Sequence, residues 1–162
     1  MSLHWPAIFS LLALLLLANG LPAAICLVFG PGRPLDGGRT LADGRPLLGP
    51  SKTWRGLVLA VLGTGLGALA LGLPGGLGLA VGVGAMVGDL ATSFLKRRLG
   101  LAPSASLPVL DQIPETLLPG VLVKAELALG WVDLGVSVLA FCALDLVLTH
   151  LGHRLLRPNG RD

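Results

Sequence analysis

Between Gly88 and Gln112 the chain carries the residue types that phosphate chemistry needs. The run Gly88-Asp89-Leu90-Ala91-Thr92-Ser93-Phe94-Leu95-Lys96-Arg97-Arg98 is followed by a short loop and by Leu110-Asp111-Gln112. Asp89 stands where a long apolar segment ends, and a carboxylate at that depth is costly enough to require a function or a partner. On a helix, Asp89, Ser93 and Lys96 share one face, which then presents a carboxylate, a hydroxyl and an ammonium. Asp111 supplies a second carboxylate from the loop. Two carboxylates beside Lys96, Arg97 and Arg98 suit a Mg²⁺ ion carrying a polyphosphate, because Mg²⁺ keeps most of its waters and takes one or two carboxylates plus phosphate oxygens. The competing reading pairs Asp89 with Arg97 or Arg98. The metal is preferred because both carboxylates fall on the basic side of the membrane.

A second polar stretch, 30–56, ends in Gly49-Pro50-Ser51-Lys52-Thr53-Trp54-Arg55-Gly56. Ser51 or Thr53 is placed to cap the following helix. Free N–H groups at that helix start attract phosphate, and Lys52 and Arg55 add positive charge. Taken singly, these two residues read as interfacial anchors; with the nearby Asp-Gly pairs they read as an anion site. Gly44 and Gly49 have P-loop spacing, but Lys52 comes three positions after Gly49 and no strand precedes, so a Walker A site is excluded. Asp36-Gly37 and Asp43-Gly44 are turn signals first, and either aspartate is able to orient an arginine or ribose hydroxyls. Glu115 reads as a helper of Asp111 or as a helix-start residue, and Asp145 as the partner of a loop arginine. His150 and His153 lack a third zinc ligand and read as a solvated helix end.

The elements that must position these residues are apolar. The chain of 162 residues is 53% hydrophobic and 13% charged, with mean hydropathy +0.81, against about 25% charged in soluble domains. The expected fold is an all-α integral membrane protein with five transmembrane helices, at about 7–29, 57–73, 75–95, 113–129 and 131–151, forming one domain over 1–162. Asn19, Gly20 and Pro22 predict a bend in the first span. A cleaved leader is disfavoured, since no Lys or Arg precedes the first apolar run. Gly63-xxx-Gly67, Gly78-xxx-Gly82 and Gly84-xxx-Gly88 predict close helix packing. Cys26 and Cys142 read as small buried apolar residues. With five spans, every Lys and Arg except Lys124 falls on one side, which the positive-inside rule makes cytoplasmic. The N-terminus is then outside, the C-terminus and both charged loops inside.

Leu35-Asp36-Gly37-Gly38-Arg39 through Gly56, Gly88-Asp89, Ser93 to Arg98 and Leu110-Asp111-Gln112 together resemble the CDP-archaeol synthase family, over about 34–120. That family is similar to the CDP-diacylglycerol synthases. The resemblance implies Mg²⁺-dependent transfer of CMP from CTP to a lipid phosphate, digeranylgeranylglyceryl phosphate in archaeal members, with release of pyrophosphate. It implies Asp89 and Asp111 as metal ligands and, with Lys96, as the catalytic set. The substrate-binding set is Asp36, Arg45, Ser51, Lys52, Thr53, Arg55, Ser93, Arg97 and Gln112. Its partners are CTP, the lipid phosphate and the bilayer, with a homo-oligomer left open and no nucleic acid; its location is the cell membrane, with the site facing the cytoplasm. Two departures stand out. The chain lacks the His-Gly-Gly element of the wider synthase signature, which disfavours an ordinary CDP-diacylglycerol synthase. Pro50 stands where a more polar residue is expected. The acceptor therefore stays open, phosphatidic acid being the alternative, and a non-enzymatic transport or assembly protein is the alternative class. A CDP-alcohol phosphotransferase is disfavoured because its motif needs several aspartates at helical spacing.

Overall fold

The computed structural model describes residues 3–101 and 108–156, with side chains described to residue 148 and in the fourth helix from Asp111 onward. The described chain is all-helical: α1 (Trp5–Phe29), α2 (Trp54–Ala70), α3 (Gly75–Arg98), α4 (Pro108–Leu122) and α5 (Trp131–Leu156). α1 opens with proline in its first turn and stops at Gly30, whose φ of 71° a side chain would resist. α2 is capped by Thr53, whose Oγ1 accepts from the Gly56 N–H at 3.1 Å. Pro74 precedes α3, where a fixed φ suits a helix start.

α3 is the hub and packs on α2, α4 and α1; α5 packs on α4 and α1. The three glycine pairs account for the packing of α2 on α1, of α3 on α2 and of α3 on α4. A Cβ on Gly63 or Gly67 would fall 2.2 or 2.3 Å from Leu21 or Leu17 of α1. One on Gly78 would fall 2.2 Å from the Thr64 carbonyl oxygen of α2. One on Gly84 would meet Pro119 at 2.8 Å, and one on Gly88 the Pro114 carbonyl at 2.6 Å, both on α4. Backbones approach this closely only where side chains are missing. Leu11, Leu14, Leu15, Val81, Val123 and Phe141 form the buried core. Phe9, Leu27, Leu66, Leu139 and Val147 lie exposed on the outside.

α1, α3 and the described part of α5 are long and apolar enough to cross a membrane. α2 has 17 residues and α4 has 15, about 25 and 22 Å of helix at 1.5 Å per residue. A hydrocarbon core is about 30 Å thick. The expected fourth span therefore needs correction: the helix covers Pro108–Leu122, not 113–129, and the chain turns after it. Hydropathy placed its start too late because Asp111 and Gln112 interrupt the apolar residues near its beginning. Asp111 consequently lies in a helix rather than a loop. Pro114 and Pro119 sit inside α4, where they face the glycines of α3. A second correction concerns the cysteines, since Cys26 is exposed and Cys142 half-buried.

The 30–53 connection is held by short-range bonds. Isolated bridges join Pro34 to Thr53 and Thr40 to Pro46. Asp36 accepts from the N–H groups of Gly38 (2.9 Å), Leu48 (2.9 Å) and Gly49 (3.1 Å). Arg98 pins the loop to the end of α3, donating to Asp43 at 2.6 Å and to the carbonyls of Arg45 and Pro46.

Candidate active site

The site is built where α3, α4 and the end of the loop meet. Leu35 N–H donates to the Lys52 carbonyl at 2.7 Å, which holds Lys52 just ahead of α2. From there Lys52 Nζ reaches both carboxylate oxygens of Asp89 at 2.6 Å. Further along α3, Lys96 Nζ meets Asp111 Oδ2 of α4 at 2.9 Å. Gln112 donates from its amide to Asp145 of α5. Asp89 thus pairs with Lys52, not with Arg97 or Arg98, and Asp145 with Gln112, not with a loop arginine. In both cases the nearer partner comes from a segment distant in the sequence, which helical spacing does not reveal.

These residues line one cavity of about 220 Å³ together with Asn19 of α1 and Glu115 of α4. Glu115 lies one helical turn beyond Asp111 and is close enough to Asp89 to interact with it. The cavity wall carries both ammonium and carboxylate groups, and the two ion pairs keep only 12–21% of their side-chain surface exposed. Partly desolvated charges interact more strongly than surface ones. An arriving polyphosphate is able to take over the ammonium groups, leaving the carboxylates for a cation.

A second cavity, of about 320 Å³, adjoins the first and shares Asn19, Lys52 and Asp89 with it. Ser51, Thr53 and Arg55 line this one; Arg55 also donates to the Gly30 carbonyl. Four expected substrate-binding residues line neither cavity. Asp36 is buried in the loop and satisfied by backbone N–H groups. Burial pushes its carboxyl up, but the N–H groups of Leu48, Gly49 and Gly38 outweigh this and hold it below the ordinary carboxylate value. Asp43 is held low as well, by the Arg45 N–H and by Arg98 against some desolvation. Arg45 donates to the Arg98 carbonyl on an exposed turn. Ser93 is buried on α3. Arg97 is 4% exposed and donates to the Leu101 carbonyl at 2.7 Å. The side chains of His150 and His153 lie outside the described residues.

Among the described residues no three His, Cys, Asp or Glu side chains form a ready-made metal cage. The oxygen-only donors of Asp89 and Asp111 still fit Mg²⁺, which is held by one or two carboxylates plus substrate oxygens rather than by an all-protein cage.

The family model "CarS-like: CDP-archaeol synthase" matches residues 6–75 and 74–157. The chain belongs to the CDP-archaeol synthase family. The CDP-archaeol synthase of Methanopyrus kandleri is 44% identical over 127 residues, covering 75% of this chain and 72% of that protein. That of Methanosphaerula palustris is 40% identical over 156 residues, covering 86% and 91%. A solved structure of an intramembrane enzyme for archaeal membrane lipids biosynthesis superposes with a TM-score of 0.69 at 34% identity, covering 84% of this chain and 90% of that one.

For a member of the CDP-archaeol synthase family, the sequence reading overlooked Asn19 in this site and gave Glu115 and Asp145 only secondary roles. Each left a signal. Asn19 is a polar residue in the first apolar run, and Asp145 an acid in the last; such residues face a bundle interior or a cavity.

Proposed function

We propose that this chain transfers a cytidylyl group from CTP to an isoprenoid glyceryl ether phosphate, giving a CDP-activated lipid of the CDP-archaeol type and pyrophosphate. The observation that carries this is the single cavity in which Lys52–Asp89 and Lys96–Asp111 face one another, in a chain of this family. Lys52 and Lys96 release their carboxylates to bind the triphosphate. An oxygen of the lipid phosphate attacks the α-phosphorus, and the bond to the bridging oxygen of the β-phosphate breaks. The lysines neutralise the charge that gathers on the departing pyrophosphate. The nucleophile is already an anion, so no strong general base is required. Asp89 and Asp111 are the residues that would hold Mg²⁺, with Glu115 beside them. When bound, the ion supplies Lewis-acid neutralisation of the phosphate oxygens. Gln112, held by Asp145, orients polar substrate groups. Ser51, Thr53 and Arg55 serve the adjoining cavity, while Asp36, Arg45, Ser93 and Arg97 act by shaping the loop and the end of α3.

The same reading makes residues 1–162 one membrane-embedded domain of five spans in the cell membrane, with the N-terminus outside and the site facing the cytoplasm. Placing all basic residues but Lys124 on one side supports it. Its test is formation of labelled CDP-lipid by purified protein given CTP, Mg²⁺ and a panel of lipid phosphates. Product with the isoprenoid ether phosphate is expected. Product with phosphatidic acid alone would replace the acceptor, and no product from folded protein would overturn the reaction.

A further inference from the structure

The larger cavity has a mixed wall. Lys52 and Asp89, shared with the acid-lined cavity, line it together with Arg55, with Pro22, Ala23 and Cys26 of α1 and with Leu57 of α2. Ala23 and Cys26 are exposed on the outer flank of α1. That flank continues into Leu27, Val28 and Phe29, which are 68–73% exposed.

The packing of α1 on α2 explains why space opens here. At Gly63 and Gly67 the helices touch so closely that an added Cβ would fall 2.2 or 2.3 Å from a leucine of α1. At Gly56 the same atom would meet Pro22 only at an ordinary 3.5 Å. Pro22 also lacks the N–H that would bond the Ala18 carbonyl one turn back, and both residues line the cavity.

We propose that this cavity seats the head of the lipid acceptor, its phosphate against Lys52 and Arg55 and its first chain carbons against α1. The tails leave past Ala23 and Cys26 into the bilayer. The assignment rests on the cytidylyl transfer proposed above and adds where the acceptor sits and from which flank it enters. The wall combines cationic side chains with apolar residues of α1 that reach the outer flank, the two kinds of surface that a lipid phosphate needs. A volume of about 320 Å³ lies at the small end of ligand cavities, which run from about 300 to 1,000 Å³; it suits a head group and excludes two long chains. Lys52, on the shared wall, then stands between the phosphates of both substrates.

Steady-state kinetics in mixed micelles tests this with Ala23→Trp, which fills an exposed rim position, and Leu27→Trp as a control on the same flank outside the cavity. Ala23→Trp is expected to raise KM for the lipid acceptor by about tenfold or more while KM for CTP stays within about twofold; Leu27→Trp is expected to change neither. Unchanged acceptor KM in Ala23→Trp, or a raised KM for CTP instead, overturns the assignment while leaving the reaction in place. A second arm does not depend on turnover or on that variant. In Cys142→Ser protein, maleimide labelling of Cys26 is expected to slow when acceptor phosphate is added and not when CTP is added. Labelling indifferent to the acceptor overturns the assignment. Absence of CDP-lipid from wild-type protein would remove the reaction reading, and the labelling arm would still decide whether the cavity takes the lipid.

Discussion

At the scale of single residues the account turns on paired charges. Lys52→Met removes the ammonium but keeps the length of the side chain, and it leaves Asp89 facing the cavity without that partner. Lys52 and Asp89 are 21% and 20% exposed, so the stability cost falls below that of a fully buried pair, at about 1–3 kcal/mol. Turnover is expected to fall much further, on the order of 100-fold or more, because the group also neutralises substrate charge. Melting and rate measurements on one preparation separate the two effects. Asp36 belongs to a different kind of residue. Its carboxyl is held below its ordinary value in the folded loop, so it contributes stability that is present above the unfolded pKa of about 4 and is lost as pH falls through the folded value. Asp36→Asn is expected to destabilise by about 1–3 kcal/mol at neutral pH by turning an amide toward backbone N–H groups. The gap between variant and wild type should narrow as pH drops below about 4. A pH series of thermal melts checks both sign and window, and a gap independent of pH would show that the Asp36 charge does not support the loop.

At the scale of elements, α3 positions the chemistry because its glycines let it pack closely on α2 and α4. Gly88 stands next to Asp89 and touches α4 one turn above Asp111. Gly88→Ala puts a Cβ 2.6 Å from the Pro114 carbonyl, a backbone contact that no rotamer change relieves. The expected cost is about 1–3 kcal/mol, accompanied by lost activity as α4 moves away and carries Asp111 with it. Gly76→Ala, which meets nothing within 4 Å, is the control and should melt like wild type. Much at this scale was legible in the sequence. Apolar runs located α1, α2, α3 and α5, and small-residue spacing announced the tight contacts. The beginning of α4 was not legible, because a helix whose first five residues include Asp111 and Gln112 does not look like a span. The ion pairs of Asp89 and Asp111 were not legible either. Local spacing ties Asp89 to Lys96 on one face, whereas the partner in space arrives from a loop 37 positions earlier.

At the scale of the whole molecule, three long apolar helices and two shorter ones surround a polar cavity that includes Asn19 of α1 and Asp145 of α5. The proposed orientation of this bundle follows from its charge distribution. Cysteine introduced at Ser2 is expected to react with an impermeant reagent from outside intact cells, and cysteine at Asn159 only after the membrane is opened. Both positions reacting from the same side would remove one of the five proposed spans, and α4, at 15 residues, would be the one to go. The polar cavity also explains why composition alone pointed only to a membrane protein. The acids and bases that define the site are few, and they become a site only when four helices and one loop bring them together.

The central claim is that the cavity lined by Lys52, Asp89, Lys96 and Asp111 is where the triphosphate binds. Calorimetric titration of purified protein with CTP in the presence of Mg²⁺ tests it most directly, using wild type, Lys52→Met and Lys96→Met. The account predicts saturable binding to wild type and a loss of about tenfold or more in affinity for each variant, with both proteins folded. CTP bound equally well by all three would contradict it and would move the nucleotide out of this cavity.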